Sequence, residues 1–219
     1  MSSCDIVPPT KEALVTIKGT KTELNLLKAF AGESQARNRY WFFSSVAKKE
    51  GLEQIAGIFL ETAENEREHA KVFFKYLEGG DTEITATYPA GRIGTTSENL
   101  PAAADGEKME WGTLYPSFAA TAEEEGFADV ATSFHEIANV EKEHEARFRK
   151  LLSNVTNNQV FTRDRPMRWK RRNCGHGHHG PTAPLEFPPR QPPQCHSDPR
   201  DHDERSREGR HPGTAPPRS

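Results

Sequence analysis

Two short segments carry the same chemistry. Glu66-Arg67-Glu68-His69 and Glu141-Lys142-Glu143-His144 each place a glutamate three residues before a histidine. Residues i and i+3 of an α-helix share a face. Each segment can therefore offer one metal ion a carboxylate oxygen and an imidazole nitrogen. Glutamate fills 21 of the first 160 positions, so a given histidine has one at −3 by chance about one time in eight. Of the three histidines in that stretch, His69 and His144 have it and His135 does not. The competing explanation is a solvated acidic face, on which such spacing means nothing. Two more glutamates, Glu33 and Glu107, count against it once the helices that carry them are laid out.

The first 160 residues read as helix almost throughout. Thr20 and Glu23 have capping-box spacing ahead of Leu24, Leu27 and Ala31, which opens a first helix running to about residue 49. Gly51 ends it. A second helix covers about 52–78, closed by Gly79-Gly80. Residues 81–96 contain Pro89, Gly91 and Gly94 and read as irregular. A third helix covers about 97–125, with Pro101 in its first turn and Pro116 expected to kink it, and Gly126 ends it. A fourth covers about 127–152. Short turns at Gly51 and Gly126 make two antiparallel hairpins, and the long link between them makes one crossover, the ferritin-like arrangement. The hairpins repeat. Residues 63–77 match 138–152 at 7 of 15 positions at an offset of 75, while Gly32-Glu33 matches Gly106-Glu107 at 74.

These elements bring the acids together. At about 1.5 Å per residue, Glu33 and Glu66 lie roughly 27 and 22 Å from the turn at Gly51, and Glu107 and Glu141 roughly 28 and 22 Å from the turn at Gly126. All four fall within about one helical turn of a single level. Four buried carboxylates repel and are costly unless neutralised. One Glu from each of two helices plus Glu-x-x-His from the other two is the donor set of a di-iron carboxylate bundle. Oxygen donors with two imidazoles suit iron or manganese better than zinc or copper. Glu110 makes a second acid on the face of Glu107, either a surface acid or a further, exchangeable ligand. Tyr40 and Tyr115 lie seven and eight residues beyond Glu33 and Glu107. Their position suits either core packing or hydroxyls that orient a carboxylate. His135 and the aromatics Trp41, Phe42, Phe43, Phe59, Phe73 and Phe74 read as packing.

Whole-chain averages conceal a split. The 219 residues carry a formal charge of −3. Residues 1–160 hold 17 Lys+Arg and 25 Asp+Glu, a net of −8; residues 161–219 hold 12 and 7, a net of +5. The last 59 residues have 11 of the 16 prolines and 6 of the 9 histidines. Phe161, Leu185 and Phe187 are their only Leu, Ile, Val or Phe. So little apolar surface does not offset chain entropy. The expected organisation is an all-α four-helix domain over 18–155 and a largely disordered tail over 160–219. Three irregularly spaced cysteines make no disulfide scaffold. No run approaches the roughly 18 apolar residues of a membrane span, and residues 1–18 lack a secretion signal. The expectation is a cytoplasmic protein with no nucleic-acid or membrane partner.

At Gly32-Glu33-Ser34-Gln35-Ala36, at residues 61–70, and from Met109-Glu110-Trp111 to Tyr115-Pro116, the sequence resembles the rubrerythrin family, over about residues 18–152. The resemblance implies a non-haem centre of two iron ions, with Glu33, Glu66, Glu107 and Glu141 as carboxylate ligands and Glu66 and Glu141 bridging. It implies that His69 and Glu110 exchange with iron oxidation state, that His144 binds the other iron, and that Tyr40 and Tyr115 orient carboxylates. The implied activity is reduction of hydrogen peroxide to water by a homodimer or small homo-oligomer. The family's second part is a rubredoxin-like iron site with two Cys-x-x-Cys pairs. Residues 169–175 resemble its first knuckle, but Arg171 stands where the first cysteine belongs, and beyond Cys174 only Cys195 remains. One knuckle cysteine does not hold an Fe(Cys)4 site, so that site is expected to be absent and the electrons to come from an external donor such as a rubredoxin. The abrupt rise in Pro, Arg and His after Gly175 suggests a changed reading frame, which translation of the other frames would test. A rival reading has Cys174, His176, His178 and His179 binding a metal. Cys4 is given no role. Two other function classes stand beside peroxide reduction: a ferroxidase or iron store of the bacterioferritin type, and a non-catalytic helical bundle, which iron content would expose.

Overall fold

The computed structural model describes residues 16–171, 175–184 and 197–200. The helices fall close to the boundaries that the glycines and caps predict. Helix α1 is Lys21–Lys49, α2 is Glu53–Lys75, α3 is Thr96–Met109, α4 is Tyr115–Glu124 and α5 is Ala128–Thr156. Thr20 caps α1 by accepting from the Glu23 N–H. The Glu23 carboxylate reaches one residue further back than the capping box requires, to the Gly19 N–H at 2.7 Å. Thr95 and Glu98 form the reciprocal box at the start of α3. Gly51 and Gly126 sit at φ +78° and +85°, a region that favours glycine, and turn each hairpin back on itself.

The hairpins also fasten each other. Glu125, at the end of α4, accepts from the Lys21 and Thr22 N–H groups at the start of α1. Glu50, its counterpart at the offset of 75, accepts from the Thr96 N–H at the start of α3 at 3.2 Å. Both carboxylates thus satisfy exposed helix-start donors and sit at the positive end of the helix dipole.

The third bundle helix holds the main departure from expectation. A kink was predicted at Pro116; instead a π-helical turn, Glu110–Leu114, joins α3 to α4, and the Tyr115 N–H reaches back to the Glu110 carbonyl. Proline has no N–H to donate, which removes one bond that would oppose the wider turn. The repeat explains the rest. Gly32-Glu33 and Gly106-Glu107 are offset by 74, but Tyr40 and Tyr115, like Glu50 and Glu125, are offset by 75. One extra residue lies between 107 and 115, and the π turn absorbs it.

Two aromatic plugs fill the bundle interior. Tyr40, Phe43, Phe59 and Phe148 pack with ring centroids 5.2–6.3 Å apart. Phe73, Tyr115, Phe118 and Phe134 do the same at 4.9–6.3 Å. Every member of one plug maps to a member of the other at an offset of 75. Along α1, Glu33 lies between Ala29 of one cluster and Ala36 of the other; along α2, Glu66 lies between Ala63 and Phe73. The carboxylates therefore form a polar layer between two dry ones.

Residues after 160 were expected to form a largely disordered tail. The described part instead contains three strands, β1 (Thr162–Arg171), β2 (Gly177–Thr182) and β3 (Ser197–Arg200), in an antiparallel sheet ordered β2-β1-β3. Met167 pairs with Gly180 and Trp169 with His178 in one ladder, and Trp169 with Pro199 in the other. Trp169 is buried and its indole N–H donates to the Gly180 carbonyl at 2.9 Å. An aliphatic count overlooks a sheet that closes on one tryptophan. Cys4, Cys174 and Cys195 lie outside the described residues.

Candidate metal centre

The bundle delivers six of the seven predicted groups to one buried layer. Glu33 from α1, Glu66 from α2, Glu107 from α3 and Glu141 from α5 are each 0% exposed. Two sets of four groups have donor atoms within 4.8 Å of one another: Glu33, Glu66, His69 and Glu141, and Glu66, Glu107, Glu141 and His144. Glu66 and Glu141 belong to both. His69 Nδ1 lies 2.8 Å from Glu141 Oε1, 3.1 Å from Glu66 Oε2 and 3.9 Å from Glu33 Oε2. His144 Nδ1 mirrors it, 2.7 Å from Glu141 Oε2, 3.2 Å from Glu66 Oε1 and 3.9 Å from Glu107 Oε1.

Those distances are short, yet several of the atoms lack hydrogen-bond geometry. Glu33 Oε2, Glu66 Oε1, Glu107 Oε2, both Glu141 oxygens and His144 Nδ1 are buried without a hydrogen-bond partner. Orphaned buried carboxylate oxygens are costly. Here they converge, which is what a cation ligated by oxygen and imidazole requires. The residues therefore fit two metal ions sharing Glu66 and Glu141.

Electrostatics agree. Burial, then the negative charges of Glu141 and Glu66, pushes the Glu33 carboxyl well above the usual range. Burial, then Glu66 and Glu141, does the same to Glu107. Burial alone would raise Glu66, but the imidazoles of His144 and His69, 3.2 and 3.1 Å from its oxygens, outweigh it and bring Glu66 down to about 2. Burial would lower His69 and His144; contacts with Glu141 and Glu66 overcome it and push them up to about 10 and about 9. Without a cation, the layer balances its charge by holding protons.

The tyrosines reach across between hairpins. Tyr40 of the first donates to Glu107 Oε1 of the second at 2.5 Å, and Tyr115 of the second donates to Glu33 Oε1 of the first. Both are buried within the aromatic plugs, with their hydroxyls on a carboxylate of the opposite hairpin. Burial, followed by neighbouring carboxylates, raises both phenols well above their ordinary value.

Glu110 stands apart. It opens the π turn and is 9% exposed, but belongs to neither four-group set. Burial, then Glu141 and Glu66, raises its carboxyl well above normal, while Arg39 pulls the other way. Glu110 lies against α1 beside Gly32, where a Cβ would be in ordinary contact with Glu110 Oε1 at 3.8 Å. Sequence reasoning assigned Arg39 and Trp111 no role. Trp111 donates its indole N–H to Glu145 Oε2 at 2.8 Å, tying the π turn to α5. Its place beside Glu110 was the available signal. Among the residues read as packing, Phe43, Phe59 and Phe73 are buried, whereas Trp41, Phe42, Phe74 and His135 are exposed; Phe74 still meets the Phe30 ring at 5.3 Å and His135 lies 3.6 Å from Glu123.

Known proteins share this organisation. The family profile described as Rubrerythrin matches residues 25–152. A rubrerythrin of Porphyromonas gingivalis is 59% identical over 184 residues, covering 84% of this chain and 92% of the relative. A rubrerythrin of Nitratidesulfovibrio vulgaris is 51% identical over 181 residues, covering 83% of this chain and 95% of the relative. The solved structure of nigerythrin in a mixed-valence state aligns with a TM-score of 0.54 at 25% identity, covering 91% of this chain and all of that one. A duplicated Glu-x-x-His hairpin that builds two overlapping donor sets, together with these likenesses, shows that the chain belongs to the rubrerythrin family of ferritin-like di-iron proteins.

Proposed function

We propose that the protein reduces hydrogen peroxide to water, taking up two electrons and two protons for each O–O bond broken. The observation that carries this reading is the buried pair of donor sets sharing Glu66 and Glu141, with one more carboxylate, Glu110, held just outside both. Glu33, Glu66, His69 and Glu141 would hold one iron ion, and Glu66, Glu107, Glu141 and His144 the other. Iron bound there supplies one electron from each ion to the peroxide.

The chain's own groups do the remaining work. Tyr40 and Tyr115 fix Glu107 and Glu33 by hydrogen bonds from the opposite hairpin. The aromatic plugs above and below keep water from the layer. Glu110 lies at the edge of the site outside both donor sets, and burial raises its carboxyl above the ordinary range, so it is the group suited to deliver a proton. His69 and Glu110 together offer a neutral and an anionic donor on one side. Exchange between them keeps the net charge of the site closer to constant.

Re-reduction needs an electron donor outside this chain, such as a rubredoxin, because Arg171 stands at the first knuckle position and too few cysteines remain for an Fe(Cys)4 site. The reading includes a cytoplasmic homodimer or small homo-oligomer. No helix among the described residues is long and apolar enough to cross a membrane. The test is anaerobic mixing of the ferrous protein with peroxide or with oxygen, alongside iron per chain and native mass. Two irons per chain, no thiolate charge-transfer band and faster oxidation by peroxide support the reading. Faster oxidation by oxygen in a large closed shell would replace it with iron storage.

A further inference from the structure

Peroxide does not account for the space beside Glu110. A cavity of about 370 Å³ lies between α1, the π turn and residues 85–89 of the crossover. A water molecule's share of liquid volume is about 30 Å³, so a molecule of two oxygens would fill only a small part of it. Cavities of roughly 300–1,000 Å³ hold organic ligands. The walls are largely apolar, with Ala29, Ala36, Met109, Leu114 and Phe118 among them. The inner wall is formed by Glu110, Tyr40 and Tyr115, the groups that adjoin the metal layer. Gly32 lies on the same wall, where a Cβ would make ordinary contact with Glu110 Oε1 at 3.8 Å and with the Tyr88 ring at 3.7 Å.

The cavity also carries charge. Lys28 and Arg39 both line it, eleven residues apart on α1 and therefore about 16 Å along the axis. Neither forms an ion pair among the described residues, and Arg39 Nε is buried without a hydrogen-bond partner. Glycine at 106 leaves room for the Arg39 guanidinium, as a Cβ would stand 3.1 Å from Nη2. Arg39 also lies over the Tyr40 ring at 5.8 Å. An apolar chamber with two cations that form no ion pair among the described residues, and a redox site at its inner wall, suits an elongated apolar anion.

We propose that this cavity binds an organic hydroperoxide bearing a carboxylate, such as a hydroperoxy fatty acid, and that the protein reduces it at the di-iron site. The inference rests on the peroxide reduction proposed above. The O–O bond breaks with two electrons from the reduced centre, replenished by the same external donor. The alkyl oxygen takes one proton and leaves as the alcohol; the outer oxygen takes one and leaves as water.

Two measurements test it. Calorimetric titration of dodecanoate, which has the carboxylate and alkyl body but no peroxide, should show one site per chain in metal-free and iron-loaded protein alike. Arg39→Gln, which removes the charge, and Gln35→Trp, which fills the cavity, should each weaken it at least tenfold. Lys28→Gln, at an exposed position, serves if either variant fails to fold. Anaerobic mixing of the ferrous protein with linoleate hydroperoxide should yield one hydroxy acid per two irons oxidised. Its rate constant, relative to that for neutral cumene hydroperoxide, should fall at least tenfold in Arg39→Gln. If hydrogen peroxide oxidises the centre while dodecanoate does not bind and linoleate hydroperoxide is inert, this inference is overturned and hydrogen peroxide reduction stands. If no peroxide oxidises the centre, both fall. Equal rates for linoleate and cumene hydroperoxides, unmoved by Arg39→Gln, would overturn the carboxylate assignment.

Discussion

Glu66 and Glu141 differ from the other acids of the layer because each belongs to both donor sets. Replacing either with alanine should abolish both metal sites and bring iron per chain near zero. Glu33→Ala or Glu107→Ala removes one oxygen donor from one set and should leave about one iron per chain, read by metal analysis. Tyr40→Phe leaves Glu107 without its 2.5 Å donor and should weaken iron binding by roughly 10–100-fold, as measured by competition with a chelator. The titration of the layer has its own signature. In metal-free protein His69 and His144 titrate near 10 and 9, above the unfolded value of 6.5, so the folded state holds more protons. That stability is fully present below pH 6.5 and is lost as pH rises through 9–10. The raised carboxyls of Glu33, Glu107 and Glu110 act in the same direction, whereas the lowered Glu66 matters only below about pH 4.5. The metal-free Tm should fall by at least about 5 °C between pH 6.5 and 9, given roughly 2–4 °C per kcal/mol for a chain of this size. The iron-loaded Tm should change far less. A flat metal-free profile would contradict this assignment.

The π turn is the element on which the site's asymmetry depends. Without the extra residue, the third bundle helix would continue as a regular α-helix and repeat the first. Deleting Gly112 tests this, since it leaves Tyr115 seven residues beyond Glu107, the spacing of Tyr40 beyond Glu33. Tyr115 should then keep Glu33 and Phe118 its plug, while Glu110 loses the wide turn that holds it at the edge of the site. The expected outcome is two irons per chain and helix content nearly unchanged by circular dichroism, with peroxide oxidation of the ferrous protein slowed at least tenfold. Loss of iron would mean that the wide turn is itself needed to set the register of Tyr115. Trp111, held by Glu145 and packed under Lys142 at 5.5 Å, explains why the widened turn stays at one place along the helix.

At the scale of the molecule, the net charge of −3 describes neither part. The −8 belongs to the helical segment, whose buried acids meet iron, and the +5 to the segment carrying the three-stranded sheet. The functional question at this scale is where electrons enter. Pre-reduced protein should complete one peroxide turnover unaided, then cycle slowly with only NADH and a reductase. Adding a rubredoxin should restore steady turnover by at least tenfold. Fast cycling without a carrier would show that the chain holds its own relay.

The helices, the hairpin pairing and the level at which the acids meet are legible in the residues alone. These follow from local rules: 3.6-residue periodicity, glycine at left-handed turns, and a fixed rise that converts spacing into height. The repeat added that the halves are equivalent. Features that depend on rotation and packing between helices came from the three-dimensional arrangement. It turned an expected kink at Pro116 into a π turn, which absorbs the one residue by which the Glu107–Tyr115 spacing exceeds that of Glu33–Tyr40. It crossed each tyrosine to the opposite hairpin's glutamate, a pairing that depends on the interlock of four helices. It left Glu110 outside both donor sets, facing a cavity roofed by a crossover whose path no periodicity encodes. It also built a sheet in the tail, where one tryptophan and backbone pairing replaced the aliphatic core that composition did not supply.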